Sequence, residues 1–521
     1  MIQTGGLRKI PQYFIPSIAQ MSFLIVFITC FTVSGSFLLG DGDTGYHIRA
    51  GEIILKDLAV PRLDPFSFIS PALPWTAHEW LSEVVMAIVH KTMGLPGIVF
   101  LFALLLSTAY WLLFRWIRSG GGNLLVDLLI LVLVLLSSRI HWHARPHVFS
   151  LLLIVLLYQI LIFHKEGREN YLYAIPPMML LWVNLHGGFI LGFLFMGIFL
   201  SDYILGFLAS IGEERSASAN KGKQLSLVCA ASVLAACLNP FGVHAFFFPF
   251  RVVSETYLMD HVQEFLSPNF HGFAPYRYLL LFLIGMLGVS KTRLTLTELV
   301  LVLLFTSMSL YSMRYIPLCA IVCAPTLSRH GDILLRESKA RCVRLLKERS
   351  EVYGKIDASA KGYAIPLVVL IVFAALAMGR IPVRFAEKTA PVAAIDFLRA
   401  NTVQGNMFNN DEIGDYVIYW LYPRYKVFMD GRSDMYGEPI LKEYFKVAHI
   451  EPGWKDVLDK YDINCIFYYN DSVLVRHLLT DAGWRRIYVD KVASIFLRNT
   501  PENTEAIARL APDCTNTGKG H

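Results

Sequence analysis

The segment Asp41-Gly42-Asp43-Thr44-Gly45-Tyr46-His47 places two carboxylates one glycine apart, with a histidine four residues beyond the second. Two such carboxylates can converge on a divalent cation such as Mg or Mn, or one can act as a base beside the other. A solvated turn would explain a lone Asp-x-Asp. Here, however, the same stretch ends in a second acidic and histidine cluster, Trp75, His78, Glu79, Trp80 and Glu83. A third cluster, Arg139-Ile140-His141-Trp142-His143-Ala144-Arg145-Pro146-His147, is cationic. The arginine fork suits a phosphate, and His143 and His147 are further donors to one. Zinc would suit His141, His143 and His147 on residue type alone, but the interleaved arginines argue against it. Single polar residues elsewhere fit the same pattern: Asn184 and His186, Asn239 and His244, Glu264, Asn269 and His271, and Arg314. A structural reading competes for Asn184, His186 and His244, whereas Arg314 lies where two apolar runs meet and calls for a partner such as a lipid phosphate.

The elements that must hold these groups are apolar. Of 521 residues, 55% are hydrophobic and 17% charged, and the mean hydropathy is +0.48, too apolar for a soluble chain of this length. Runs long enough for a bilayer fall near 15–39, 95–117, 123–138, 148–163, 171–183, 189–211, 225–238, 277–290, 295–311, 315–328 and 363–379. The first is too long for a secretory signal and reads as a retained helix. With the N-terminus inside, the inner loops carry Arg8 and Lys9, Arg115 and Arg118, Lys165 and Arg168, Arg215, Lys221 and Lys223, Lys291 and Arg293, and a basic stretch from Arg329 to Lys361. That distribution obeys the positive-inside rule. Residues 81–93 are too short to span without reversing it and read as an interfacial helix. The net charge of +6 is therefore an orientation signal, not a nucleic-acid signature.

The expected fold is an α-helical polytopic membrane protein of about eleven transmembrane helices. A transmembrane module covers 1–379, with a first outer loop at 40–80, and a small extracytoplasmic α/β domain covers 380–521. In that domain Tyr425–Met429, Cys465–Tyr469 and Arg486–Val489 read as strands and Leu474–Ala482 as helix. Asp430, Arg432, Asp434 and Tyr436 form a turn with an internal salt bridge or an acceptor contact. Asp202 stands inside an apolar span without an obvious partner. The eight cysteines, Cys514 among them, show no CxxC spacing and read as small apolar fillers. No phosphate-binding glycine loop and no dinucleotide fingerprint is present, so a soluble nucleotide donor is not indicated.

Acids beside water, cations at the membrane edge and many helices converge on one chemistry, that of holding a phosphate-headed isoprenoid and acting on its head group. The sequence resembles the GT-C superfamily, polytopic glycosyltransferases that use polyprenyl-phosphate-linked sugars and include the protein O-mannosyltransferases, the aminoarabinose transferases and the oligosaccharyltransferase catalytic subunits. The resemblance rests on the first outer segment from Asp41 to His47, its continuation through Gly51-Glu52-Ile53-Ile54, Pro61-Arg62-Leu63-Asp64-Pro65-Phe66-Ser67 and His78-Glu79-Trp80, and the distal run Asp430-Gly431-Arg432-Ser433-Asp434-Met435-Tyr436. It implies a bacterial inner-membrane glycosyltransferase, with the C-terminus extracytoplasmic, acting on a lipid, glycan or protein acceptor. It also implies catalytic or metal-ligand roles for Asp41 and Asp43. The expected site adds Glu79 to these acids, places the donor phosphate on Arg139, His143, Arg145, His147 and Arg314, and puts His47, His78, His186 and Asn239 around the substrate. No WWDYG-like acceptor motif is present, which argues against asparagine-linked transfer. An O-antigen ligase or polymerase, which relies on outer arginines and a histidine, is the alternative enzyme. A transporter would need ionisable groups near the midplane, and a scaffold would need none of the acids.

Overall fold

The computed structural model describes residues 14–511 except Ser34, Glu169, Asn170, Phe273, Lys361, Arg380, Glu387 and Lys388; Arg8, Lys9, Lys361 and Cys514 thus lie outside the described residues. The chain begins with α1 (Ile18–Ile28), opened by a Ser17–Gln20 capping box. The helix α2 follows (Asp43–Asp57). Next come α3 (Trp80–Ser119), α4 (Leu124–Ser138), α5 (His147–Lys165), α6 (Ile175–Leu185), α7 (Ile190–Ala209) and α8 (Gly212–Ala236). The helix α9 (His244–Ser254) leads into α10 (Pro275–Val289), α11 (Leu296–Tyr311), α12 (Ile316–Glu337), α13 (Arg341–Ser359) and α14 (Ala364–Met378).

Each expected span falls on a helix, that near 225–238 being the second half of α8. The count of eleven is not reached by length and apolarity. Five helical stretches satisfy both among the described residues: Trp80–Ser119, Leu124–His141, His147–Lys165, Gly187–Ala209 and Met313–Glu337. The pair α13 and α14, bent by 68°, makes a sixth at most, and four shorter apolar helices remain. Exposed apolar side chains on the outer faces, among them Leu205, Leu208, Leu281, Ile284, Leu303, Leu367 and Ile371, suit lipid rather than water. Apolar length and these faces make the chain a multi-pass membrane protein.

At 40 residues, α3 would be about 60 Å long if straight, twice a bilayer core. It is not straight. Gly94 breaks it at φ +67°, ψ −160°, a conformation open to glycine and closed to residues with a Cβ, and Pro96 starts the next turn. The stretch read as interfacial therefore stands apart from the longer apolar run that follows. Asp202 has a partner after all: Lys165 Nζ lies 2.9 Å from it, bridging α5 and α7.

The C-terminal region carries α15 (Val392–Ala400), β1 (Asn406–Asn409), α16 (Asp411–Leu421), α17 (Ser433–Ala448), β2 (Ile463–Tyr469), β3 (Trp484–Val489) and β4 (Ala493–Arg498). The sheet order is β1-β2-β4-β3, with β1 parallel to β2 and the other pairs antiparallel. Cys465–Tyr469 and Arg486–Val489 lie in strands as expected, and the helix expected at 474–482 runs Val473–Leu478. Tyr425–Met429 is not a strand. It leaves α16 without a sheet neighbour and pairs only at Val427 with Ser67 of the first outer loop. Ala394, Val417 and Ile495 share one buried cluster with Phe27 and Phe102, so this region packs onto the helices.

Candidate functional site

Asp43 opens α2, where the helix's free N–H groups favour an acid, and its own backbone N–H donates to Asp41 Oδ1 at 3.0 Å. Both carboxylates meet one guanidinium. Arg145, in the turn that precedes α5, reaches Asp41 Oδ2 and Asp43 Oδ2 at 2.8 Å each, and its fork also pairs with Glu264 from the outer loop after α9. Three carboxyl groups thus surround one cation, an excess of negative charge that a proton on one of the acids relieves. Asp43 is 7% exposed. Burial pushes its carboxyl well above the usual range, Arg145 opposes this, and Asp41 and Glu264 add to it. For Glu264 the cost of burial is overcome by Arg145 and Arg314, which hold it below the usual carboxylate range. Burial opposes the charge on Arg145, but Asp43, Glu264 and Asp41 keep it firmly protonated.

Asp415 of α16 closes the other side of Asp43, carboxyl against carboxyl, a contact that is a hydrogen bond only when one of the two carries a proton. Its Oδ1 accepts from Gly431 N–H at 3.0 Å. Burial first, then Asp43, raises the Asp415 carboxyl well above its ordinary value. The chain at 431 must be glycine for a steric reason: a Cβ there would lie 2.0 Å from Asp43 Oδ1.

A second cluster stands beside the first. Glu79, at the start of α3, is ringed by His186 Nε2 at 3.5 Å, His78 Nε2 at 3.6 Å and His47 Nε2 at 3.7 Å. His47 Nδ1 faces Glu83 Oε1 at 3.3 Å. His186 Nδ1 accepts from Gly188 N–H at 2.9 Å and lies 2.7 Å from Ser150 Oγ, which itself accepts from Trp182 Nε1. The neutral ring's proton is therefore assigned to Nε2, facing Glu79. Burial lowers both His47 and His186 and raises Glu79, so the cluster exchanges neutral donors and acceptors more readily than charge. Asn184 Oδ1 accepts from Trp80 Nε1 at 2.8 Å, tying the start of α3 to the end of α6.

The cationic cluster does not act together. Arg139 is exposed over the Phe37 ring at 5.3 Å, and His143 stacks on that same ring. His147 Nε2 meets the His141 carbonyl at 2.8 Å, and His141 Nε2 meets the Met313 carbonyl at 3.1 Å. His141, His143 and His147 thus face three different partners. Among the described residues no group of three or more His, Cys, Asp or Glu side chains stands ready for a metal ion. Asp41 and Asp43 are hard oxygen donors of the right type, but the Arg145 guanidinium fills the space between them. Arg314 sits over the Phe265 ring at 5.3 Å, near enough to act on Glu79, Glu264 and His186. Asn239 binds the Ala236 and Gly242 carbonyls and the Phe241 N–H, all within its own turn.

Asp415 and the pairing of Asp64 with Arg432 complete this region without having been assigned from sequence, while Glu264, noted there only as a polar residue of its loop, pairs directly with Arg145. Arg432 reaches Asp64 Oδ1 at 2.7 Å and Asp430 Oδ2 at 2.6 Å, so the distal turn has its internal salt bridge and a second one to the first outer loop. The only sequence signal for them was the density of acids at 411–415 and in the runs around Asp64 and Asp430.

No protein-family model matches the chain, and no curated protein matches it in sequence. Among solved structures, the apo form of the Archaeoglobus fulgidus oligosaccharyltransferase superposes with a TM-score of 0.53 at 11% identity, covering 87% of this chain and 69% of that one. The chain therefore shares its fold with that oligosaccharyltransferase. At that identity the likeness extends to the fold alone.

Proposed function

We propose that the chain is a membrane glycosyltransferase that moves a sugar from a polyprenyl-phosphate-linked donor to an extracytoplasmic lipid, glycan or protein acceptor, in the bacterial inner membrane with its N-terminus cytoplasmic. The observation that carries this is the position of Asp43. It is buried at a helix N-terminus beside Asp41, Arg145 and Glu264, in a chain with this fold.

In the inverting reaction the acceptor hydroxyl attacks the sugar's anomeric carbon as the bond to the phosphate oxygen breaks. The electron pair leaves with the polyprenyl phosphate, and the hydroxyl proton goes to Asp43, the member of the Asp43–Asp415 pair left ionised when Asp415 holds their shared proton. Arg145 holds Asp43 in place and is already engaged by three carboxylates, so an anion would have to displace them. Arg314 has no carboxylate at ion-pair distance among the described residues and is the better placed cation for the departing phosphate. Glu79 and its histidines line the approach beside it. A divalent ion on Asp41 and Asp43 would require Arg145 to swing away, and no step above depends on one.

The test is transfer from a panel of radiolabelled polyprenyl-phosphate sugars by the purified protein in nanodiscs, with envelope extract as acceptor. Asp43→Asn should abolish incorporation while leaving membrane abundance unchanged; full activity in that variant would falsify the base assignment.

A further inference from the structure

Beside the acid centre lies a small cavity lined by Tyr46, Trp75, Ala77, His78, Glu79, Glu83, Arg432 and Asp434. Two of its wall residues are nearly inaccessible, Arg432 at 3% and Glu83 at 1% exposure. Each has one polar atom that nothing in the protein satisfies: Arg432 Nη1 and Glu83 Oε2. Buried donors and acceptors without partners are rare, because leaving one unmade costs more than making it gains. Here a donor and an acceptor stand unpaired in the wall of one cavity.

Neither group is free to turn away. Arg432 is pinned through Nε and Nη2 by Asp430 and Asp64, and its guanidinium lies 4.6 Å from the Trp75 ring centre and 4.9 Å from that of Phe66. Glu83 is held by His47 through its other oxygen. The donor is therefore preorganised, and the charge behind it is already balanced by two carboxylates. Glu79, Glu83 and Asp434 line the remaining wall, and the one arginine there is already balanced by Asp430 and Asp64, so the cavity offers an anion no uncommitted cation. The free space inside it is about 20 Å³, far below a pocket for a whole small ligand. It admits one group the size of a water molecule or a hydroxyl. Tyr46 and His47 stand three and four residues beyond Asp43 on α2, which sets the cavity on the same helix face as that acid.

We infer that this cavity is a hydroxyl-reading subsite for an uncharged sugar: one hydroxyl of the glycosyl unit donates to Glu83 Oε2 and accepts from Arg432 Nη1 while the rest of the ring points toward Asp43. The inference rests on the transferase reading for its ligand class, and it makes the transferred unit a neutral hexose or its N-acetyl derivative, not a uronic acid. A sugar lacking the hydroxyl that enters the cavity leaves both groups unpaired and is discriminated against accordingly.

Saturation-transfer NMR on the full chain in nanodiscs tests it directly, with free D-glucose, D-galactose, D-mannose and N-acetylglucosamine as probes and D-glucuronate as the charged control. Expected is transfer to at least one neutral sugar, none to glucuronate, and a loss of about tenfold or more in apparent affinity in Glu83→Gln, which replaces the acceptor by a donor. A signal unchanged in Glu83→Gln, equal binding of glucuronate, or no neutral sugar bound would each overturn the subsite. Should Glu83→Gln fold poorly, Asp434→Asn at the cavity mouth serves instead: it should admit glucuronate severalfold better, a gain that misfolding cannot produce, and unchanged exclusion counts against the proposal. Because the readout is binding, neutral-sugar signals without any transfer by the wild type would sink the enzyme reading and leave the cavity assignment standing.

Discussion

Gly431→Ala adds a single methyl group to the molecule and aims it at Asp43. The new carbon would stand 2.0 Å from Asp43 Oδ1 and 3.0 Å from Asp415 Oδ2. Side-chain carbons do not approach oxygens closer than about 3.0 Å, so the Asp43 contact must open by roughly 1 Å. The turn carrying residue 431 cannot supply that movement cheaply, since Arg432 is locked into Asp430 and Asp64, and Gly431 N–H is bound to Asp415. Asp43 or Asp415 must therefore shift. A misplacement of about 1 Å in a reacting group costs on the order of 10²-fold in rate, or roughly 2.7 kcal/mol of barrier. The prediction is a kcat reduced about a hundredfold with donor KM within about threefold of wild type. On the proposed reaction the displaced group handles the acceptor proton and does not bind the phosphate. Gly272→Ala is the matched control, because a Cβ there meets nothing within 4 Å. The assay is single-turnover transfer from a labelled polyprenyl-phosphate sugar, with thermal unfolding measured in parallel. Wild-type kcat in a folded Gly431→Ala protein would refute the placement of Asp43 at the reacting centre.

Other substitutions separate the remaining elements. Arg314→Gln should raise donor KM about tenfold with a smaller effect on acceptor KM; an unchanged donor KM removes Arg314 from the phosphate. Asp64→Asn breaks the buried pair with Arg432 and should destabilise the outer region by about 3–5 kcal/mol, seen as easier proteolysis of the 380–511 segment; resistance equal to wild type would show that the pair does not tie the two outer parts together. Burial pushes Glu412 up to about 7, with Asp41 adding to it. The folded state then holds a proton that the unfolded chain releases near its ordinary value of 4.5, so stability falls as pH rises between those values. Glu412→Gln should flatten that decline and leave the protein about 2–3 kcal/mol more stable at pH 8, by thermal unfolding against pH; an unaltered slope assigns the pH dependence elsewhere.

How far the sequence reaches depends on the range of the interaction. Apolar runs are local and loud, and each expected span lies on a helix. Whether a helix of 11 or 15 residues crosses a bilayer is set by its neighbours, which composition does not contain. Asp41, Asp43, Glu79 and Arg145 were visible as residue types in unusual places, and they do stand together or side by side. Asp415 was not singled out because what marks it among the acids at 411–415 is contact with Asp43, more than three hundred residues earlier. The same limit applies to Tyr425–Met429. Its residues favour a strand, but a strand needs a partner along its length, and the neighbouring backbone offers one bridge at Ser67. Conversely, β1 has asparagine at both ends and only Met407 and Phe408 between, too short for an alternating pattern to declare itself.

The arginines illustrate the same limit in the chemistry. By type, Arg139, Arg145 and Arg314 are equal candidates for a phosphate. What separates them is what already occupies each guanidinium. Arg145 is enclosed by Asp41, Asp43 and Glu264, and a phosphate entering there would face three carboxylates before it met the cation. Arg139 is exposed against Phe37, away from both acid clusters. Arg314 alone combines proximity to Glu79 and Glu264 with a guanidinium held only by an aromatic face. An aromatic face holds a guanidinium without satisfying its N–H groups, and so leaves it able to take an anion. On the proposed reaction the division that follows is physical: the enclosed arginine would fix the base, and the open one would be left for the charge that departs.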